Sequence, residues 1–191
     1  MRCHRFRLVR MTTTIYTIGH STRKLDELID ILHHYGITLL ADVRTLPRSR
    51  HTPQFNAETL AHSLSAAGIT YRHVPQLGGL RRASKDSVNT GWRNAGFRGY
   101  ADHMQTSEFK AGLQTLIGLA GETQAAIMCA EALPWQCHRS MIGDALLLRG
   151  FAVVDIFDRS KATPERLTSF AKVDGTAITY PDPQRAIGAD W

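Results

Sequence analysis

Apolar residues along this chain form short continuous runs separated by stripes with helical spacing, a pattern typical of strands that alternate with helices. The clearest stripe is Leu25, Leu28, Ile29 and Leu32, and Gly36 is placed to end that helix. The runs predict five strands, over 15–20, 39–44, 70–74, 125–131 and 152–158. Right-handed connections between such strands predict a single α/β domain, with a mainly parallel five-stranded sheet and helices on both faces.

Later stripes predict further helices. One is capped by Asn56 and runs to Gly68, a second covers 109–120, and a third opens at residue 137 or 138. Thr163-Pro164-Glu165 has the order of an N-cap, a first-turn proline and a first-turn acid, and it predicts one more helix start.

Three segments lie outside the alternating pattern. Residues 1–11 form a basic leader that is expected not to belong to the native protein, because Met11 is expected to be the true start. The single α/β domain is expected to span 12–175, and 176–191 to form a tail. Within the domain, 80–99 has no clear period and predicts a surface excursion.

Composition limits the class of protein. Of 191 residues, 43% are hydrophobic and 21% charged, which excludes a disordered chain, and no apolar run has the ~20 residues of a membrane span. The net charge is +6, but four arginines and no acid lie in the first ten residues, so the remainder carries only +2. The leader has no apolar signal segment, and Cys3, Cys129 and Cys137 are too few for a disulfide framework. We therefore expect a cytoplasmic protein.

Polar and reactive residues follow the ends of four predicted strands. In parallel sheets, ligands bind beyond the carboxyl ends of the strands, so these residues are expected to share one edge. They are His20 and Ser21, Asp42 and Arg44, Gly78 and Gly79, and Cys129 and Glu131.

The densest chemistry lies between residues 128 and 139. If the strand continues to Glu131, then Cys129 and Glu131 point to the same side. Cys137 lies at or just before a helix start, where the helix dipole lowers a thiol pKa, and Arg139 in the first turn could hold an anion. The alternative is structural: a small buried cysteine, a surface acid and a capping His138.

Cys129, Cys137 and His138 are also residue types that bind zinc. Their spacing matches no zinc finger, and the match to zinc-dependent deaminases is poor because the P-C-x-x-C element is absent. A metal-free site is therefore preferred, and the cofactor is left unknown.

A second group of polar residues lies in the loop after the second strand. Arg44, Arg48, Arg50 and Ser49 could clamp a phosphate or carboxylate, and Asp42 could orient Arg44 or act as a base. A solvated arginine-rich loop with an ordinary ion pair is an equal alternative.

Two dipeptides at strand ends could have either a functional or a purely structural role. His20 and Ser21 could supply an acid/base and a hydroxyl, although Ser21 could equally cap a helix. Gly78 and Gly79 could let the backbone approach a ligand or could form a plain turn.

The excursion over 80–99 carries five cationic residues against Asp86, with Trp92 and Phe97 interleaved. Bases stack on aromatic rings while cations hold the backbone, so this segment could cover a nucleotide or nucleic acid. A surface loop whose two aromatic rings pack back on the core is slightly favoured.

Taken together, Gly19-His20-Ser21, Asp42-Val43-Arg44, Leu77-Gly78-Gly79 and the Cys-x-Glu … Cys-His-Arg element over 129–139 resemble the motif set of the bacterial and archaeal domain-of-unknown-function family 488. The similarity spans about 15–158. The resemblance implies that these positions form one site, and it implies no activity.

The leading hypothesis is an enzyme with an anion-binding cleft that acts on a phosphate-bearing substrate, such as a nucleotide or nucleic acid. The alternatives are a non-catalytic nucleic-acid-binding module, and a metal or redox site at the cysteines. The catalytic candidates are Glu131, Cys137, Asp42 and His20. The substrate-binding candidates are Arg44, Arg139, Ser21, Ser49, Gly78, Gly79, His138 and Cys129.

Overall fold

A computed structural model describes residues 13–184, and these form an α/β domain around a six-stranded sheet. The sheet order is β3-β2-β4-β1-β5-β6. Strands β1 to β5 run parallel, and β6 pairs antiparallel with β5. The bounds are β1 Thr14–Gly19, β2 Leu39–Asp42, β3 Thr70–His73, β4 Ala125–Cys129, β5 Ala152–Ile156 and β6 Ala162–Pro164, with a separate hairpin of β7 Lys172–Asp174 and β8 Ala177–Thr179. The prediction of a mainly parallel α/β sheet is confirmed, with one more strand than expected.

Helices cover both faces of the sheet, as predicted. Helices α1 and α2 pack on one face around a core that includes Leu28, Leu60 and Ile18. Helices α3, α4 and α5 pack on the other face around Tyr100 and Leu116. The bounds are α1 Leu25–His34, α2 Ala57–Ala66, α3 Ala95–His103, α4 Ser107–Glu122 and α5 Arg139–Leu147. No helix in 13–184 is long and apolar enough to cross a membrane.

The helix predicted from Thr163 is wrong, because Ala162–Pro164 forms the edge strand β6. The backbone N–H of Glu165 donates to the carbonyl of Val153, which continues the pairing with β5. Proline is tolerated at a sheet edge, where its missing N–H leaves no ladder bond unmade. The order of a cap, a proline and an acid is thus shared by a helix start and an edge strand.

Three other local features differ from expectation. Asn56 is the N-cap residue of α2, as predicted, but its side-chain oxygen accepts a hydrogen bond from the Ser49 backbone N–H at 2.7 Å and from no N–H of the helix. Helix α3 lies partly within the expected excursion, where glycines dilute its apolar stripe. Ile178 and Tyr180, in the expected tail, are fully buried in the core. The expected leader over 1–11 and the last residues of the tail lie outside the described range.

The segment after β4 crosses directly over the end of β1. Backbone N–H groups of His20 and Ser21 donate to the carbonyls of Cys129 and Ala130, both at 2.9 Å. A Cβ placed on Gly19 would lie 1.8 Å from the Glu131 carbonyl oxygen, so no other residue fits there without moving the segment. This close approach sets the path of the chain between the two cysteines.

We expect Gly19→Ala to lower the free energy of unfolding by about 2–4 kcal/mol, because its methyl group overlaps backbone atoms that cannot rotate away. Gly118→Ala is the matched control, since a Cβ there meets nothing within 4 Å. It should be stabilising by about 0.5–1 kcal/mol, as alanine favours the helix. Urea unfolding of both variants measures the difference, and equal effects would contradict the packing argument.

Candidate functional site

A cavity of about 390 Å³ opens at the carboxyl ends of β2 and β4. Its walls come from four parts of the chain that are distant in sequence, and the turn before α5 closes one side. The lining residues are Arg44, Thr45, Leu46, Gly79, Leu80, Gly96, Phe97, Tyr100, Cys129, Ala130, Glu131, Gln136, Cys137 and His138. Five candidates besides Glu131 are among them: Arg44, Gly79, Cys129, Cys137 and His138.

Asp42 and Arg44 form a buried ion pair behind this cavity. Asp42 has no exposed surface, and Arg44 is 7% exposed. The Arg44 Nε atom donates to Asp42 Oδ1 at 2.9 Å, and Nη2 donates to Oδ2. Asp42 Oδ2 also accepts from the Tyr71 hydroxyl at 2.7 Å, and Arg44 Nη2 donates to the Phe55 carbonyl at 2.7 Å. Asp42 therefore orients Arg44, one of the two roles expected for it.

His20 completes this pair from the end of β1. Its Nδ1 lies 2.8 Å from the Ser21 carbonyl and its Nε2 lies 3.2 Å from Arg44 Nη1. Because Arg44 is a donor, Nε2 accepts and the proton is on Nδ1. Burial and the Arg44 charge lower the pKa of His20 to about 4, so the ring is neutral at pH 7. The ring also stacks on Phe55 with centroids 4.2 Å apart. Both nitrogens of His20 are thus engaged in holding Arg44 and the loop.

The two cysteines and His138 meet on one side of the cavity, although eight positions separate the sulfurs along the chain. Their ligand-type atoms all lie within 4.8 Å of one another. The Cys137 sulfur is 3.6 Å from His138 Nδ1, and His138 Nε2 lies 3.1 Å from the Val43 carbonyl. Because a carbonyl accepts only, Nε2 carries the proton and Nδ1 presents a lone pair to the sulfur. We call these three residues the thiol–imidazole group.

The electrostatics of the two thiols differ. The neighbouring Cys129 thiol and the Arg139 charge lower the pKa of Cys137, while burial opposes them. The closeness of Cys137 and burial raise the pKa of Cys129. Cys137 directly precedes His138, the N-cap of α5, as the sequence predicted. The first negative charge of the pair therefore belongs on Cys137.

Glu131 and Arg139 do not sit as the sequence suggested. Strand β4 ends at Cys129, so alternation along a strand does not place Glu131, which is exposed on the cavity wall. Arg139 is 1% exposed and is not among the lining residues. Its Nη2 donates to the Glu131 carbonyl at 2.9 Å, and its Nε and Nη1 have no hydrogen-bond partner within 13–184. Arg139 therefore fixes the loop that carries Glu131.

Three other candidates lie beside the cavity or away from it. Ser21 has φ of 50° and its N–H donates to the carbonyl of Ala130, just after β4, and it caps no helix because Lys24 is the N-cap of α1. Ser49 lines a different hollow, with Arg48 and Arg50, and its hydroxyl accepts from backbone N–H groups of its own loop. Gly78 packs against Thr45, where a Cβ would lie 2.5 Å from the Thr45 hydroxyl.

Two aromatic residues of the cavity were not among the candidates. Tyr100 donates to the Leu77 carbonyl at 2.9 Å, and its ring lies 4.8 Å from that of His138. Phe97 stacks on Trp92 with centroids 5.0 Å apart, and both rings pack against the core, while Phe97 also lines the cavity. No sequence signal marks Tyr100, because helix α3 itself was not predicted.

Another cavity, of about 440 Å³, has Ser140 of α5, Asp155 and Glu165 in its walls. Asp155 accepts from the Thr17 hydroxyl at 2.6 Å, but Glu165 Oε2 has no partner within the described chain. Burial, followed by the charges of Asp155 and Asp144, raises the pKa of Glu165 to about 9. Glu165 is thus protonated at neutral pH.

Comparison with known proteins gives one result. The sequence matches the family described as "Domain of unknown function DUF488" over residues 24–146, about two thirds of the chain. That range includes β2, β4, the cavity loops and most of α5. No curated protein and no solved structure matches significantly.

We expect Asp42→Asn to lower the free energy of unfolding by about 3–5 kcal/mol, because it leaves the Arg44 charge buried without its partner. Asp30→Asn is the control, since Asp30 pairs with Arg159 on the surface and both side chains are more than half exposed. Its effect should be about 0–0.5 kcal/mol. Chemical unfolding measures both, and a small effect of Asp42→Asn would show that the buried pair is not needed for folding.

We also expect Glu165→Gln to stabilise the protein increasingly as pH rises. The folded state keeps a proton that the unfolded chain releases above pH 4.5, so wild-type stability falls between pH 4.5 and about 9. The variant has no proton to lose, so its free energy of unfolding at pH 7 should exceed that of wild type by about 1–3 kcal/mol. Unfolding curves across this window, with Glu122→Gln as the exposed control, measure the effect. A gain that does not change with pH would contradict the assigned protonation.

Proposed function

The chain belongs to the DUF488 family, and from its cavity we propose that it is an enzyme acting on a phosphate-bearing substrate of the nucleotide or nucleic-acid class. One observation carries the proposal. The thiol–imidazole group and Glu131 line one open cavity at the carboxyl ends of parallel strands. Reactive groups gathered in a concave pocket at this edge of a sheet are typical of active sites.

Glu131 is proposed to transfer protons during the reaction. It is the one carboxylate among the lining residues, and it takes part in none of the ion pairs within 13–184. An exposed carboxylate that is free of an ion pair can accept a proton from a substrate or from water. Arg139 supports this role by holding the Glu131 carbonyl.

Asp42 and His20 are proposed to position Arg44 instead of reacting with substrate. Neither residue lines the cavity, and both have their polar atoms committed to Arg44, Tyr71 or the backbone. Arg44 reaches the cavity with its charge largely offset by Asp42, so it is suited to hydrogen bonding more than to neutralising a phosphate.

The positive charge that would attract a phosphate-bearing substrate lies on segments flanking the cavity. Leu46 and Leu80 line its mouth, and exposed cationic residues follow each of them within a few positions. These residues make none of the ion pairs of the described chain, so their charge is available to attract a substrate. They are Arg48, Arg50, Arg82 and Lys85.

The same exposed cations support the alternative of a non-catalytic nucleic-acid-binding module. Binding through phosphate contacts weakens steeply as salt rises, and it does not need Glu131 or the thiol–imidazole group. A salt titration of binding to short single-stranded RNA, with wild type and Glu131→Gln, therefore separates the two functions.

The enzyme proposal is tested by assaying nucleoside monophosphates, nucleoside triphosphates and short RNA for product formation by mass spectrometry. We expect Glu131→Gln to lower kcat by about 10²–10⁴-fold, the usual contribution of proton transfer. Arg48→Gln combined with Arg82→Gln should raise KM with little change in kcat, because these residues act on binding.

The matched control for Glu131→Gln is Glu122→Gln, which changes an exposed acid at the end of α4. Wild-type activity in this control, with a loss in Glu131→Gln, supports the assignment. No turnover of any tested compound by wild type, or full activity in Glu131→Gln, would overturn the proposal.

A further inference from the structure

The thiol–imidazole group has the composition of a metal site. It is the one cluster of three potential metal-ligating side chains that the described residues bring together, with its donor atoms within 4.8 Å of one another. Two sulfurs and an imidazole nitrogen are donors that zinc accepts in a tetrahedral site. The sequence analysis preferred a metal-free site because the spacing of Cys129 and Cys137 matches no zinc finger, whereas the fold brings both sulfurs to His138.

His138 is oriented as a metal-binding histidine is. Its Nε2–H donates to the Val43 carbonyl at 3.1 Å, which leaves the Nδ1 lone pair directed at the Cys137 sulfur. Ligating histidines almost always donate their other ring N–H to a carbonyl, a carboxylate or water, which fixes the tautomer. A Cβ on Gly79 would lie 2.3 Å from Nδ1, so only glycine leaves this ring nitrogen its space.

The surroundings of the sulfurs also suit a cation. Cys129 and Cys137 are 7% and 3% exposed, so two thiolates here would be costly without a positive partner. A divalent cation allows both sulfurs to ionise, because two thiolates and a neutral imidazole leave the site without net charge. All three residues line the cavity, so the side of the group without a ligand faces open space.

We propose that Cys129, Cys137 and His138 bind a zinc ion whose fourth position opens into the cavity. Three protein ligands with an open position are characteristic of catalytic zinc sites, whereas structural sites have four. Zinc in this position would polarise a substrate phosphate oxygen or a water molecule next to Glu131. Zinc binding itself stands on the three donors alone, and only its use in catalysis rests on the proposed function.

The first experiment measures metal in Cys3→Ser protein, in which Cys129 and Cys137 are the only thiols. After purification without chelator and loading with zinc, we expect about one zinc per chain that survives gel filtration. Replacement by Co²⁺ should produce the intense cobalt–thiolate charge-transfer bands and the visible bands of a tetrahedral site. Absence of zinc after loading, or a cobalt spectrum without thiolate bands, would overturn the proposal.

The second experiment compares ligand variants in the same background. Cys129→Ser, Cys137→Ser and His138→Gln should each weaken zinc affinity by at least about 100-fold in competition with a chromogenic chelator. His103→Gln is the matched control, because His103 Nε2 also lies against a backbone carbonyl, that of Gln76 at 2.7 Å, but His103 is not among the lining residues of this cavity. It should bind zinc as wild type does.

Gly79→Ala tests the same site without removing a donor, since its methyl group would displace the His138 ring. Weaker zinc binding by Gly79→Ala, with circular dichroism that matches wild type, supports the proposal even if a cysteine variant fails to fold. If Gly79→Ala and the three ligand variants all bound zinc with wild-type affinity, the proposal would be overturned.

The outcomes separate this inference from the proposed function. Stoichiometric zinc with no dependence of any activity on Glu131 would retain the zinc site and reject the enzyme. Activity that depends on Glu131 in a protein that binds no zinc would retain the enzyme and reject the zinc site.

Discussion

The buried ion pair between Asp42 and Arg44 is the interaction on which the described site depends. Asp42 ends β2, and its carboxylate receives Arg44 and the Tyr71 hydroxyl, while Arg44 reaches His20 after β1 and the Phe55 carbonyl beyond β2. A buried charge is costly unless its partner and hydrogen bonds are complete, so these groups must keep their places together. The pair thereby holds the ends of β1, β2 and β3 against one another and fixes Arg44 in the wall of the cavity.

A second constraint positions the sulfurs. The segment after β4 crosses Gly19 at backbone contact distance, and Arg139 holds the Glu131 carbonyl from α5. The chain can therefore return to the sheet edge at Cys137, beside the strand end that carries Cys129. The parallel arrangement makes this possible, because the carboxyl ends of β2 and β4 are neighbours and both open on the same edge.

Much of the fold was predictable because its signals are local. The stripe of α1 and the β-branched run of β5 each reflect a face or a layer that must be buried. Predictions failed where one local pattern fits two structures: Thr163-Pro164-Glu165 suits a helix start, but pairing with β5 made it an edge strand. Helix α3 was missed because Gly96 and Gly99 dilute its stripe, and its burial comes from packing under the excursion.

The sequence by itself determined the α/β class and the placing of polar residues at the strand ends, since these follow from periodicity and residue chemistry. Only the tertiary structure decided the partners of each side chain. It turned Arg139 inward to a carbonyl, engaged both nitrogens of His20, and brought His138 to two sulfurs with its tautomer set by Val43. Such assignments depend on distances between segments remote in sequence, and residue spacing along a chain carries no information about them.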